Sequence, residues 1–412
     1  MTSGKSLSLC LAALSTVKGQ PNDGLLDMIE KRVKVIPTLS LTEQDYALLL
    51  NAMAKLNRDS DIIFSAVFDA LSSGHVYFTP KGLSAILNAT AKLQREVPGS
   101  AVPELLSQIK RRTQELSGWQ FSCVVHGLGR SVPNANKDGQ LISVLSDKCD
   151  ELINDNDVTH QGFVMLLDGF SKLEYLQISV VSMFCKKAPD WGLSEQAIVM
   201  GISSMAKLNY YNKEYLQWSH NRLSNINKVP PIGLVTALVG YAKLEYHTGV
   251  EYIYNRIINE GVINNTNISQ LCIIAYALLL DNSILLLPTV LRNILTPLAV
   301  DKVSLSNASK LQLIAVMQSL INNKAILNHA SSFTVHDLSV ILKEIDLVNS
   351  AVKLSTNEVD DANSSSFQED IEHTLKKIGQ HRWSSECEVT PYIVDIIEVK
   401  QLSRHRHRRN CS

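Results

Sequence analysis

The sequence predicts an all-α fold: an α-solenoid of about eight to nine helical hairpins with a short C-terminal α/β remnant. Three observations lead there. The first is a recurring segment, Asn51-Ala52-Met53-Ala54-Lys55-Leu56, with relatives at Ala91-Lys92-Leu93, Ser171-Lys172-Leu173, Ala206-Lys207-Leu208 and Ala242-Lys243-Leu244, and a degenerate copy at Gly129-Arg130-Ser131. Successive basic residues Lys55, Lys92, Arg130, Lys172, Lys207 and Lys243 are separated by 37, 38, 42, 35 and 36 residues. Each interval holds one helix-turn-helix unit. The second observation lies thirteen residues before the basic residue, where Thr42, Thr79, Thr159 and Ser194 stand ready to cap a helix with their hydroxyls. The third is an apolar register aligned on the same residue. Leu50, Leu87, Val125, Leu167, Ile202 and Leu238 stand five before it, and Tyr46, Leu83, Phe121, Phe163, Ile198 and Leu234 stand nine before it. With the leucine after the lysine, these positions share one helical face.

The units follow in order. The first runs to about residue 37, because Leu11 to Val17 fits the repeat frame, with Thr16 lying 39 residues before Lys55. A second reading of residues 1–20, as a transit peptide with Lys5, Lys18, several serines and no acid before Asp23, is weakened by the absence of arginine. Residues 41–74 form the clearest unit, and its second helix is carried by Ile62 to Phe68. The third spans about 78–116, with a turn at Val97-Pro98-Gly99-Ser100. The fourth opens at Gly118-Trp119 and turns at 133–139, and Asn154-Asp155-Asn156-Asp157 closes it. The fifth and sixth occupy 158–227, with Ala188 to Gly192 between them. Pro230-Pro231 opens the seventh, where a proline removes no helical hydrogen bond. The eighth starts near Asn267 and replaces the basic residue by Leu278-Leu279-Leu280, and a divergent ninth covers about 305–346. Residues 1–346 are therefore the solenoid, 347–366 a polar linker, 367–399 a separate short segment and 400–412 a basic tail.

Composition narrows the functions. Hydrophobic residues make up 45% and aromatic ones only 6%, which suits small aliphatic packing between helices. The seven cysteines have no paired spacing, so they read as reduced thiols and no structural zinc site is expected. The apolar run 278–288 is broken by Asp281, Asn282 and Ser283, and no membrane span is expected. No Ser/His/Asp set, glycine-rich phosphate loop or His-Glu-x-x-His occurs. The chain reads as a non-enzyme without a cofactor.

In the C-terminal segment, Phe367, Ile371, Leu375 and Ile378 mark a helix over 367–379, and Glu388 to Ile397 alternates as a strand. The repeated Ala-Lys-Leu helical pairs resemble the heptatricopeptide-type repeats of organellar RNA-binding proteins. The segment Ser366-Phe367-Gln368-Glu369-Asp370-Ile371 through Leu375-Lys376-Lys377-Ile378-Gly379 to Pro391-Tyr392-Ile393-Val394-Asp395-Ile396 resembles the entry to a RAP domain, as in FAST-kinase-like mitochondrial proteins. After Asp395 the sequence departs from the RAP pattern. The resemblance implies an organellar protein, mitochondrial first and plastid-type second. It would bind rRNA or mRNA in ribosome structure, ribosome assembly, or RNA processing and stability, beside mitoribosomal or other ribonucleoprotein subunits.

Read as chemistry, Lys55, Lys92, Arg130, Lys172, Lys207 and Lys243 form a ladder of cations for backbone phosphates. A lysine at a helix C-terminus also meets the negative end of the helix dipole, and one residue can do both. Gln44, Gln161 and Gln196 lie eleven residues before their lysines, in the first turn, where an amide can read a base edge or complete a capping box. Trp119, Tyr210, Tyr211 and Trp218 are placed to stack on bases or, the commoner use, to pack in the core. Arg404, Arg406, Arg408 and Arg409 form a flexible arm of the kind that orders on RNA, or simply a solvated end. Asp395 with Glu398-x-Lys400 has the look of an acidic-x-lysine nuclease centre without its further acids. The alternative to RNA binding is a protein-binding scaffold in an organellar complex, which suits the mildly acidic body: 40 acids against 34 bases before residue 400.

Overall fold

The computed structural model describes residues 4–17, 22–37, 40–226 and 228–283, scattered positions between 286 and 316, and the backbone of 382–389 and 392–399. The chain divides into two compact units, 1–257 and 258–412.

In the first unit the helices come in pairs. The leading helices are α1 (Gly4–Leu14), α3 (Glu43–Lys55), α5 (Pro80–Lys92), α7 (Gly118–Ser131), α9 (His160–Lys172), α11 (Glu195–Lys207) and α13 (Pro231–Lys243). The following helices are α2 (Asp23–Val35), α4 (Asp61–Ser72), α6 (Val102–Arg112), α8 (Gly139–Asn154), α10 (Ile178–Lys187), α12 (Lys213–Ser224) and α14 (His247–Asn259), the last of which runs two residues past the boundary. Each leading helix packs on the next leading helix, α1 on α3 through to α11 on α13, and the following helices stack likewise from α2 to α12. The two layers are those of an α-solenoid. The aligned apolar register is the core: Leu50, Leu87, Val125, Leu167, Ile202 and Leu238 are each at most 1% exposed. The partner register, Tyr46 to Leu234, is buried as well.

The leading helices start and stop where local chemistry dictates. The side chains of Thr42, Thr79, Thr159 and Ser194 accept hydrogen bonds from backbone N–H groups of the first turn, each worth about 1 kcal/mol. Ser117 forms a capping box with Gln120, whereas Pro230 offers no side-chain cap. At the other end, five of these helices close on the lysine itself, Lys55, Lys92, Lys172, Lys207 and Lys243. A leucine follows as C-cap, and the next residue turns left-handed: Asn57, Gln94, Glu174, Asn209 and Glu245, with φ between 50° and 55°. The residue beyond it donates back into the helix, as Arg58 N does to Met53 O at 3.0 Å and Tyr246 N to Tyr241 O at 2.9 Å. This is a Schellman cap. Asparagine tolerates that backbone, but glutamate does so at a cost of about 1 kcal/mol or more. Glu174→Gly and Glu245→Gly are therefore expected to raise stability by about 0.5–1 kcal/mol each in chemical denaturation, and Asn57→Gly by less.

The residue three after the lysine ties units together. Arg58 bonds Glu30 at 2.7 Å and Asp23 at 3.1 Å, and also Asp27, all on α2. One repeat later, Arg95 reaches Asp59 and Asp61 at 2.8 Å and lies 3.9 Å over the ring of Phe64. Tyr175 and Tyr246 take the same position further on and pack against Phe170 and Tyr241. These side chains are occupied within the fold.

The second unit contains the short α15 (Val262–Asn265), α16 (Ile268–Leu280), capped by Asn267 as the eighth repeat requires, and a β-hairpin. Its strands, β1 (Arg382–Val389) and β2 (Tyr392–Val399), pair antiparallel with Val389 opposite Tyr392. The expected single strand from Glu388 to Ile397 is thus corrected. The apolar run is shared between two strands, and residues 390 and 391 between them lie outside the described residues. The expected helix 367–379, the linker 347–366 and most of the ninth repeat lie outside the described residues.

Candidate nucleic-acid interface

From α3 to α11 each leading helix is flanked on both sides by its neighbours in the stack, and its remaining side forms one narrow stripe, half-buried or buried in the middle and exposed at both ends. On α3 the stripe is Gln44, Leu48, Asn51 and Lys55, and on α5 it is Lys81, Ala85, Asn88 and Lys92. These four positions, at spacings of four, three and four, fall on one side of a helix. Across the stack they draw three rows. Gln44, Lys81, Trp119, Gln161, Gln196 and Ile232 form the first row, all exposed. Asn51, Asn88, His126, Asp168, Ser203 and Val239 form the middle row. Lys55, Lys92, Arg130, Lys172, Lys207 and Lys243 form the third, again all exposed. Eleven residues separate the outer rows along a helix, about 16 Å at 1.5 Å per residue, and packed helix axes stand about 8–10 Å apart.

The third row sits where the helix dipoles end, so each cation meets a partial negative charge worth about 0.3–1 kcal/mol. That interaction leaves the charge facing outward. Among the described residues, Arg130 alone of the six has a carboxylate within ion-pair distance: its Nε donates to Asp168 Oδ2 at 2.7 Å. The same oxygen lies 3.4 Å from His126 Nε2. Asp168 is buried, at 4% exposure. Burial holds the His126 imidazole below the usual histidine range, with Asp168 opposing and Arg130 assisting. His126 Nδ1 is buried and has no hydrogen-bond partner among the described residues. Lys207, although exposed along the row, has its pKa lowered to about 8. Burial is the main cause and the neighbouring Lys172 the next, while Asp168 favours the charged form and Arg130 disfavours it.

Gln44, Gln161 and Gln196 all lie on the first row with no side-chain partner among the described residues. None of them completes a capping box. At Thr42 that role falls to Asp45, and at Ser117 to Gln120. Of the aromatic candidates, Trp119 is 49% and Tyr211 54% exposed, which corrects the expectation of core packing for both. Trp218 packs on Tyr215 with ring centroids 5.5 Å apart. The middle row, and Lys81 in the first, escaped the sequence reading. The signal is a polar residue seven after the first-row position: Asn51, Asn88, His126, Asp168 and Ser203.

The buried cysteines are inert. Burial pushes the thiols up, to about 11 at Cys123 and about 12 at Cys185. Among the described residues no helix is long and apolar enough to cross a membrane. Asp395 and Glu398 lie on β2, whereas Lys400 and the arginines Arg404, Arg406, Arg408 and Arg409 lie outside the described residues.

No family model and no curated protein matches the chain. Among solved structures, the chain is similar to two crystal structures of the pentatricopeptide repeat protein PPR10 in complex with an 18-nt psaJ RNA element, one of them a triple cysteine-to-serine variant. In both, the match covers 92% of this chain and 70% of that chain at 11% identity, with a TM-score of 0.25.

Proposed function

We propose that this chain is a non-enzymatic helical-repeat protein that binds single-stranded RNA across its leading helices. The backbone phosphates lie along the third row and the bases face the middle and first rows. One observation carries the reading: six consecutive stacked helices each present a basic residue at the C-terminal end of the free stripe, and five of those charges have no ion-pair partner among the described residues. The helix dipole alone would also place a cation at each of these ends, but the charges stand exposed in one row along the stack. Polar side chains beside it, Gln44, Asn51, Asn88, Gln161 and Gln196, supply donors and acceptors for base edges. The resemblance of the repeats and of the C-terminal segment supports an organellar setting, mitochondrial first. There the bound RNA is rRNA or mRNA, and the partners are ribosomal or other ribonucleoprotein subunits.

The test is crosslinking of the protein to RNA in its native organelle, followed by sequencing, beside a variant with Lys55, Lys92, Lys172, Lys207 and Lys243 changed to Glu. One or a few organellar RNAs are expected, and they are lost in the variant. Background recovery with co-purifying proteins replaces this reading by the scaffold one.

A further inference from the structure

Three adjacent rungs differ from the others. Arg130, Lys172 and Lys207 stand at the C-terminal ends of α7, α9 and α11, and Asp168, one turn before Lys172, is the one acid in the stripe positions of the described leading helices. Its Oδ2 fixes Arg130 through Nε. The two terminal guanidinium nitrogens have no partner among the described residues. An arginine anchored in this way presents the planar fork that matches two oxygens of a phosphate, with its orientation already set. Glycines bring the rungs close. A Cβ on Gly129 would stand 2.4 Å from Gly169 O and 2.9 Å from Lys172 Cβ, so α7 and α9 meet nearly backbone to backbone beside Arg130 and Lys172. Three cations thus end adjacent helices beside one buried carboxylate, and Lys172, Asp168 and Arg130 all act electrostatically on Lys207.

We propose that Arg130, Lys172 and Lys207 form a cradle for a single phosphate group of the bound RNA strand, with Asp168 as the positioning residue that aims Arg130. This rests on reading the ladder as an RNA surface, and it singles out one place on that surface. The cradle carries its own signature. The charged groups facing Lys207 are Lys172 and Asp168 of α9 and Arg130 of α7. On the other packed neighbours stand Lys243 at the end of α13, and Lys213 and Glu214 in the first turn of α12. With its pKa at about 8 in the free protein, Lys207 is half neutral at pH 8. An anion between it and Lys172 favours the charged form, so binding takes up a proton, and affinity falls as pH rises through 8. Between pH 7 and pH 9 the expected loss is about tenfold.

Two probes test this on the full chain: a short oligoadenylate, and inorganic sulfate, a tetrahedral oxyanion with no proton of its own at this pH. Calorimetry at pH 8 in two buffers of different ionisation heat is expected to show uptake of about half a proton per oligonucleotide bound. Lys207→Gln abolishes the uptake, whereas Lys55→Gln keeps it. Arg130→Lys, which retains the charge but not the fork, weakens binding several-fold. If the oligonucleotide binds without proton uptake, and Lys207→Gln weakens it no more than Lys55→Gln, the cradle is overturned and the ladder stands. If only sulfate binds, with an uptake that Lys207→Gln removes, the cradle stands as an oxyanion site that does not take this strand. If neither binds, the cradle falls, and the RNA reading is decided by the crosslinking.

Discussion

Gly169→Ala is expected to destabilise the protein by about 3 kcal/mol in chemical denaturation and to loosen the seam between α7 and α9. A Cβ there would lie 2.7 Å from both the carbonyl carbon and oxygen of Val125 and 2.8 Å from the amide nitrogen of His126. All three are backbone atoms inside α7, so no side chain can rotate away, and relief requires moving one helix off the other. Overpacking in a core usually costs about 1–3 kcal/mol, and the rigid neighbours put this case at the upper end. Gly99→Ala and Gly139→Ala, where a Cβ meets nothing within 4 Å, are the controls and are expected to be near neutral. The damage also reaches the candidate site, because Arg130 and His126 face Asp168 across this same seam. A variant that folds but has lost the seam is expected to lose the Arg130–Asp168 pair. A Gly169→Ala protein as stable as the controls would mean that the helices stand further apart than the structure has them.

The repeat architecture was legible because its determinants are local. A hydroxyl thirteen residues before a lysine and apolar residues in a fixed register are properties of one helix at a time: Thr42 caps its helix, Leu50 is buried and Lys55 ends the helix. The left-handed residues Gln94, Glu174 and Glu245 were not legible. Their backbone is imposed by the Schellman cap, and nothing in a glutamate announces it. Asp168 was hidden for a different reason. An acid beside a basic ladder reads as a solvated charge, whereas Asp168 is buried and its partner Arg130 is a full repeat away at 38 residues. Trp119 and Ile232 show the limit of residue-type arguments. Hydrophobicity points both inward, yet their place in the first turn, at the position of Gln44 and Gln161, puts them outside.

The largest expected effect is on the salt dependence of RNA binding. Each phosphate neutralised on a single strand contributes about 0.7 to the slope of log affinity against log salt. Six rungs therefore give a slope of about −4, and affinity drops by about 10²–10³ between 50 and 200 mM salt. Changing Lys55, Lys92, Lys172, Lys207 and Lys243 to Glu removes five contacts and installs five like charges, so binding near physiological salt is expected to fall at least about 10³-fold, with the slope near zero. A single Lys92→Gln takes away one rung, and the slope shrinks by about 0.7. Arg404, Arg406, Arg408 and Arg409 supply a competing source of positive charge, so the same titration on a protein lacking residues 400–412 is decisive. A slope that survives the deletion and shrinks rung by rung locates the RNA on the leading helices. A slope that collapses with the tail and ignores Lys92→Gln assigns the phosphates to the arginine arm, and leaves the six helix-terminal cations to their dipoles.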